Sequence, residues 1–487
     1  MNGERILCPG LEKRIMSAKE AASLIRSGMT VGMSGFSTGA PKLIPLEMIK
    51  PGCARNLTVI QGAGLGKLSD IAASGAVSRY AAFQWNREMR GAINDGGTAF
   101  TDVHLGQLAE KIRNGLFGKI NFAIIECSKI EQNGGIVPTL SAGISNVLIE
   151  KADKVLLELN LAVPLELGDF FDISPNAFQP IRGILDRIGT SAVPCPPEKI
   201  AGIVITEEYE EKLFFRDTNA LYQSMAKHVL ALLNSEISEG RLKPGFTLQA
   251  GVGGVANAVI QGLGEGGFHD LKIYTEILAD GVLGFVANGI VSEAATTSFD
   301  LSPIGIEELY GNLDYYKKHI VIRPLEISNG SAQIASMGLV AMNTALEADI
   351  YGNVNSSHAM GTNMLNGIGG SNDFSRNAKL SIFITPSTAK SGNISSIVPM
   401  VSHVDSTEHD VDVIVTEFGY ADLRGKSPKE RANEIILNCA HPDYRPALME
   451  YFSGALALCG GCQTPHDLSK ALSWHSRFLE TGTMKQA

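Results

Sequence analysis

The sequence predicts an α/β protein made of two similar open domains, with an active site in the cleft between them. Three observations carry that prediction. Short β-branched runs alternate with segments whose apolar residues recur at i, i+3 and i+4, the pattern of parallel strands joined by helical crossovers. Landmarks of the first half recur in the same order in the second, as in an internal duplication. The length of 487 residues, 44% of them hydrophobic, exceeds what one hydrophobic core normally accommodates. With 52 glycines and 19% charged residues, the chain has the composition of a compact enzyme-like globule rather than a fibrous or disordered protein.

Along the first half, Met29-Thr-Val-Gly-Met33, Leu57-Thr-Val-Ile60, Phe122-Ala-Ile-Ile125 and Lys154-Val-Leu-Leu-Glu-Leu159 are strand candidates, because they gather β-branched and aliphatic residues in runs too short for a helix. Residues 17–27 and 105–112 carry helical apolar spacing between them. In the second half, Pro244-Gly-Phe-Thr-Leu-Gln-Ala-Gly-Val-Gly253 echoes Ser27-Gly-Met-Thr-Val-Gly-Met-Ser-Gly35, and the next strand candidate begins at Leu271. Residues 122–145, with Asn133-Gly-Gly and Ser141-Ala-Gly-Ile, parallel residues 343–370, with Gly352-Asn and Gly367-Ile-Gly-Gly. Near the end of each half a strand meets an acid, Ile203-Val-Ile-Thr-Glu207 against Val413-Ile-Val-Thr-Glu417. The duplication predicts an N-terminal domain of residues 1–220 and a C-terminal domain of residues 221–487 that carries the candidate catalytic glutamate, joined within the polar stretch 208–238.

Charge and composition exclude several function classes. A formal charge of -10 and a pI near 5.6 give no basic footprint for nucleic acid or an anionic membrane. No run of 18 apolar residues occurs, and the first residues, with Glu4, Arg5, Glu12, Lys13 and Arg14, lack the apolar core of a signal peptide, so a cytoplasmic protein is expected. Seven scattered cysteines read as free thiols. Cys459-Gly-Gly-Cys462 reads as a glycine-rich turn, because no second Cys or His pair stands nearby to complete a zinc site. His403, Asp405, His409 and Asp410 share one loop without an established ligand spacing and read as a hydrogen-bonded polar loop, so no metal is expected.

The chemistry is sought beyond the carboxyl ends of the strands, where open α/β sheets bind ligands. Glu276 follows the strand candidate 271–274 directly, either as an ordinary loop acid or as a carboxylate at work. Gly251-Val-Gly-Gly-Val255 precedes a helical pattern over 256–263, and reads equally as an anion-binding nest or as a tight packing turn. Gly367-Ile-Gly-Gly-Ser-Asn-Asp-Phe374 has three glycines in four positions, which suits either a structural turn or a backbone amide aimed at a developing oxyanion. Glu417 ends an apolar strand and is followed by Asp422 and Arg424, an acid that either positions a substrate or serves structure.

Longer blocks give a resemblance. Ser34-Gly-Phe36 with Pro41-Lys42, Thr275-Glu276, Arg323-Pro with Glu326-Ile-Ser-Asn329, residues 343–355, the Gly367 block, and Glu417 with Ala421-Asp-Leu-Arg-Gly425 together resemble the acetyl-CoA hydrolase/transferase family, class I CoA-transferases that include succinyl-CoA:acetate CoA-transferases. The resemblance spans nearly the whole chain. It implies a pair of open α/β domains, commonly assembled as dimers, and a nucleophile, Glu276, that becomes a glutamyl-CoA thioester. It further implies an oxyanion hole from the amides of Val252 and Gly370. Coenzyme A contacts would fall at Gly251, Val252, Gly253, Gly254, Val255, Asn366, Gly370 and Lys390, and Asn329 and Glu417 would line the acyl and carboxylate pocket and orient the nucleophile. The partners implied are acyl-CoA and small carboxylates, with coenzyme A a substrate and no separate cofactor. Ser37-Thr-Gly-Ala40 and Gly330-Ser-Ala-Gln333 depart from the family pattern and bear on acyl-chain preference.

Four functional readings follow. A CoA-transferase would hand coenzyme A to an acceptor carboxylate. An acyl-CoA hydrolase would release it without an acceptor. A non-catalytic CoA-binding protein would keep its ligand response when Glu276 is removed. A sugar-phosphate isomerase is the weakest alternative, since no phosphate-specific motif supports it.

Overall fold

The computed structural model describes residues 2–64, 67–174, 179–210, 219–251 and 253–486. The chain separates into two compact units, Met1–Phe214 with Lys272–Met337, and Phe215–Leu271 with Gly338–Ala487. A contiguous division near residue 220 therefore differs from this grouping at one segment, and that segment carries Glu276. Its attachment has a physical cause. Ala142 donates its amide to the Thr297 carbonyl at 2.9 Å, Leu325 donates to Gly143 at 2.8 Å, and the fully buried Arg323 pairs with the fully buried Asp172 at 3.1 Å. A buried ion pair broken on one side leaves an uncompensated charge, so these partners stay together.

The first unit is built on seven parallel strands, β1 (Thr30–Phe36), β2 (Leu57–Gly64), β3 (Val77–Gln84), β4 (Ala99–Thr101), β5 (Phe122–Cys127), β6 (Lys154–Asn160) and β7 (Ile200–Thr206), in the order β4-β3-β2-β1-β5-β6-β7. Every residue of β5 is buried, as expected of an interior strand covered on both faces. Val31 of β1 sits between Val59 and Phe122, and these strands bury Met33, Ile124 and Leu156 against Ala21, Ile25, Ile44 and Met48. Helix α1 (Ala18–Ser23) starts at a capping box, with Glu20 accepting from the Ser17 amide at 2.8 Å and Ser17 from the Glu20 amide at 3.2 Å. Helix α2 (Leu43–Met48) starts against a carboxylate, because Glu158 accepts the amides of Lys42, Leu43 and Ile44 at 2.7, 2.9 and 2.6 Å.

From the second half, the same unit holds β8 (Leu271–Tyr274, all but its first residue), β9 (Val291–Thr296) and β10 (Ile320–Ile322), adjacent in the order β10-β9-β8. The second unit holds β11 (Thr247–Ala250), β12 (Val340–Thr344), β13 (Leu380–Ile384) and β14 (Val413–Thr416), parallel and in that order, with β15 (Gly419–Asp422) antiparallel at the edge. Piece by piece this repeats the first half: β8, β9 and β10 neighbour one another as β2, β3 and β4 do, and β11, β12, β13 and β14 as β1, β5, β6 and β7 do. The second unit packs Ile350, Phe383, Ile414, Ile435, Leu448 and Trp474 into one core. The expected strands and helices all appear, most of them longer by a few residues than their apolar runs.

The cysteine expectation fails at one pair. Cys459 and Cys462 form a disulfide, since the turn through Gly460 and Gly461, both at positive φ, brings their Cα atoms to 5.6 Å. Among the described residues the other five are free. Among those residues, too, no helix is long and apolar enough to cross a membrane.

Candidate active site

Strand β8 stops at Tyr274. Thr275 makes one further ladder bond, to Ala295 at 3.0 Å, and Glu276 then stands at the carboxyl end of the strand, half-buried. Its backbone is held from three directions, because the Glu276 carbonyl accepts the amides of Thr297 and Ser298 at 3.1 and 3.2 Å and the Thr296 hydroxyl at 2.8 Å. Its carboxylate accepts a hydrogen bond from the Asn329 side-chain amide. Asn329, 1% exposed, has its own amide oxygen engaged by the Ser328 hydroxyl at 3.0 Å, which sets the NH2 group toward Glu276. A carboxylate whose backbone is held and which meets an oriented donor can attack an electrophile without first reorganising.

Nearby in the same unit lies a buried polar lattice. Lys42 donates to Glu126 at 2.5 Å and to Glu210 at 3.2 Å. Burial opposes the charge on Lys42, but the two carboxylates outweigh it and hold the ammonium above its ordinary value. Burial raises Glu210, with Glu126 adding to the rise and Lys42 opposing it. Gly39 donates to Glu210 at 2.9 Å, while Thr38 bonds Ser298 at 3.1 Å, so the loop that departs from the family pattern rests on the strand pair flanking Glu276. A cavity of about 310 Å³ bordered by Leu140, Val163, Leu301, Ile306 and Tyr310 includes neither Glu276 nor Asn329.

The remaining expected residues belong to the second unit. Gly253 has φ 128°, a conformation open to glycine, and begins helix α3 (Gly254–Glu265). Gly251 and Gly253 face open space, whereas Gly254 lies against the Tyr222 ring with no room for a side chain, and Val255 is buried. The loop therefore packs tightly at Gly254 and leaves space beside Gly251 and Gly253. Val252 lies outside the described residues. Gly370 is buried at the start of helix α4 (Ser371–Asn377), and Asn366 fastens the preceding turn by donating to Ser356 and Gly367 at 3.1 and 2.9 Å. Lys390 sits exposed in a hairpin turn.

Glu417 follows β14, half-buried, with both carboxylate oxygens engaged by one residue: the Ser387 amide at 2.8 Å and the Ser387 hydroxyl at 2.6 Å. Its carbonyl accepts from Ser224 at 3.1 Å and His228 at 3.2 Å. Ser387, Ser224 and His228 are not marked by any motif; the only local hint of Ser387 is its place just past a strand end, after Pro386. The loop of His403 and Asp405 is hydrogen-bonded, with Asp405 accepting from Ser356 and Ser357 at 2.7 and 2.8 Å and the His403 ring tilted against that of His358, centroids 3.9 Å apart.

Comparison with known proteins places the chain in a family. Models of the acetyl-CoA hydrolase/transferase N-terminal and C-terminal domains match residues 10–204 and 305–452. The chain is 44% identical to the succinyl-CoA:acetate CoA-transferase of Clostridium kluyveri, over 98% of this chain and 91% of that protein. It is 39% identical to the propanoyl-CoA:succinate CoA transferase of Escherichia coli (96% and 98% covered) and 38% identical to the acetyl-CoA hydrolase of Candida albicans (97% and 96%). Among solved structures, 4-hydroxybutyrate CoA-transferase from Porphyromonas gingivalis aligns with a TM-score of 0.65 at 25% identity, covering 91% of this chain and 98% of its own. RipA from Yersinia pestis aligns at 0.71 and 22% identity, covering 92% and 98%, a likeness of fold.

Proposed function

The chain belongs to the acetyl-CoA hydrolase/transferase family and is an enzyme of that family; from this premise we propose that it moves coenzyme A between a short-chain acyl-CoA, such as succinyl-CoA, and a carboxylate such as acetate. Glu276 is the nucleophile. The observation that carries the reading is the hydrogen bond from Asn329 to the Glu276 carboxylate at the end of a strand whose backbone is fixed on three sides.

The Glu276 carboxylate attacks the thioester carbonyl, and collapse of the tetrahedral adduct breaks the C–S bond and expels CoA thiolate, leaving a mixed anhydride. The thiolate then attacks the glutamyl carbonyl of that anhydride, releasing the first acid as its carboxylate and leaving a glutamyl-CoA thioester. An incoming carboxylate runs the two steps in reverse, becomes acyl-CoA and restores Glu276, so the kinetics are ping-pong. Each adduct carries an oxyanion. The amides of Val252 and Gly370 are assigned to it, and a single well-aimed donor of that kind is worth about 3–4 kcal/mol. Gly251, Gly253, Gly254, Val255, Asn366 and Lys390 are assigned to coenzyme A, and Glu417 to the carboxylate pocket. On this reading the enzyme works in the cytoplasm as a homodimer, with coenzyme A as substrate.

Incubation with acyl-CoA in the absence of acceptor is expected to leave a hydroxylamine- and borohydride-sensitive adduct on Glu276, read by peptide mass spectrometry. An adduct on another residue, or none, rejects the proposal. The similarity to an acetyl-CoA hydrolase supports a second reading, whose signature in the same assay is continuous CoA release without acceptor.

A further inference from the structure

Asn329 reaches Glu276 from the end of a single helical turn, α5 (Leu325–Ser328). A lone turn has little stability of its own, so its orientation is set by what grips it. Three of its four residues are gripped by other parts of the first unit. Leu325 donates its amide to Gly143, the Ile327 carbonyl accepts the hydroxyl of the buried Tyr274 at 2.7 Å, and Ser328 engages Asn329. The strongest grip falls on Glu326. Arg113, the last residue of helix α6 (Leu105–Arg113), takes both oxygens of the Glu326 carboxylate, one of them at 2.9 Å, and Asn146 adds a third donor at 2.6 Å. A two-pronged guanidinium–carboxylate pair fixes angle as well as distance, and Glu326 is nearly sealed from water, its side chain 5% exposed.

We propose that Arg113 is a positioning residue for the Glu276–Asn329 pair, acting through Glu326: its fork sets the direction of the helical turn, and thereby the point at which the Asn329 amide meets the attacking carboxylate. Glu150 completes the arrangement, accepting from the Arg113 Nε at 2.9 Å and holding the guanidinium plane from the solvent side. The inference rests on Glu276 being the nucleophile. It adds a residue remote in sequence from every glycine loop and motif of the site, and one that touches no reacting atom.

The test uses the full-length enzyme with Glu326→Gln, which keeps side-chain volume while weakening the fork, together with Arg113→Met and Arg113→Lys. A misplacement of the attacking pair is expected to lower kcat about 10- to 100-fold, with KM for acyl-CoA moved less than about threefold. Arg113→Lys, which keeps the charge but not the fork, is expected to recover part of the loss. In an Asn329→Ala background the Glu326→Gln change is expected to add less than about twofold, because its route to Glu276 is already cut. If Arg113→Met fails to fold, Glu326→Gln carries the test. A folded Glu326→Gln enzyme with unchanged kcat overturns the proposal, and so does a loss that multiplies in full on top of Asn329→Ala. Failure of the nucleophile assignment is seen separately, as the absence of a Glu276 adduct in the unsubstituted enzyme.

Discussion

The two repeats part company at one strand. In the first, β2 runs on through Gly62-Ala-Gly64, still paired with β3 as far as Gln84, and a Cβ on Gly64 would lie 2.5 Å from Gln61 and 2.6 Å from Tyr80. In the second, the corresponding β8 ends at Tyr274 and presents Glu276. One frame is closed by packing; the other is cut short and offers a carboxylate. The first repeat has acids too, but they serve the frame: Glu126 and Glu158 face each other in register on β5 and β6, one gripping Lys42 and the other three helix-terminal amides. A duplicated sheet thus separates its duties, with acids of one copy held in the frame and an acid of the other placed at a strand end beside the Asn329 amide.

The largest effect expected from this contrast is on turnover. Glu276→Gln is expected to reduce CoA transfer about 10,000-fold while leaving the melting temperature nearly unchanged, measured by exchange kinetics and calorimetry. Glu158→Ala is the mirror experiment. It strips three amides, two of them buried, of their acceptor, so a stability loss of about 3 kcal/mol is expected in denaturant titration, with kcat per folded molecule retained. A collapse of turnover in folded Glu158→Ala protein would erase the distinction between the repeats.

A smaller effect sharpens the comparison in the second unit. Ser387→Ala removes one of two donors on Glu417, and a single charge-assisted hydrogen bond of this kind predicts a loss of about tenfold in kcat/KM for the acceptor carboxylate. Ser387→Thr, which retains the hydroxyl, is expected to restore most of it.

The pH dependence of stability gives effects of opposite sign in the two units. Burial pushes Asp300 up to about 7, with Glu210 and Asp280 adding to it, so its contribution is fully present below the ordinary aspartate value of 3.8 and is lost as pH rises toward 7. Asp300→Asn is therefore expected to flatten stability between pH 4 and 7 and to gain on the order of 2 kcal/mol at neutral pH. Glu236 runs the other way. Hydrogen bonds from Arg424 and Arg241 hold it down at about 2, so its contribution is present above 4.5 and disappears as pH falls toward 2. Glu236→Gln should lose on the order of 2 kcal/mol at pH 7 and nothing below pH 2, with Arg241 partly exposed and screened.

Most strands of the first half, the recurrence of its landmarks in the second and the place of Glu276 at a strand end were legible in apolar periodicity and glycine spacing, whereas β3, β4 and the spatial order of the strands were not. The grouping of residues 272–337 was not, because it is decided by contacts such as Arg323 with Asp172 and Leu325 with Gly143, which no local pattern records. The repeated Thr-Glu at 206–207 and 416–417 shows the limit of sequence symmetry: Glu207 is exposed, whereas Glu417 is held by Ser387. Arg113 was invisible for a similar reason. Its partner Glu326 lies 213 positions away, and a basic residue at a helix end reads as an ordinary dipole partner. Cys459-Gly-Gly-Cys462 was read correctly as a turn, but the closeness of its two sulfurs follows from backbone angles at Gly460 and Gly461 rather than from composition.

The discontinuity of the first unit has a consequence for synthesis. Once residue 214 has been made, Thr38, Arg113, Gly143 and Asp172 still lack Ser298, Glu326, Leu325 and Arg323, and the ribosome must add the chain as far as residue 326 before all of them are supplied. At about 5–20 residues per second that delay is roughly 6–22 seconds. Throughout it, Asp172 lacks its guanidinium partner and Arg113 has only Glu150 of its two carboxylates, an interval in which a holdase chaperone has its clearest opportunity to bind.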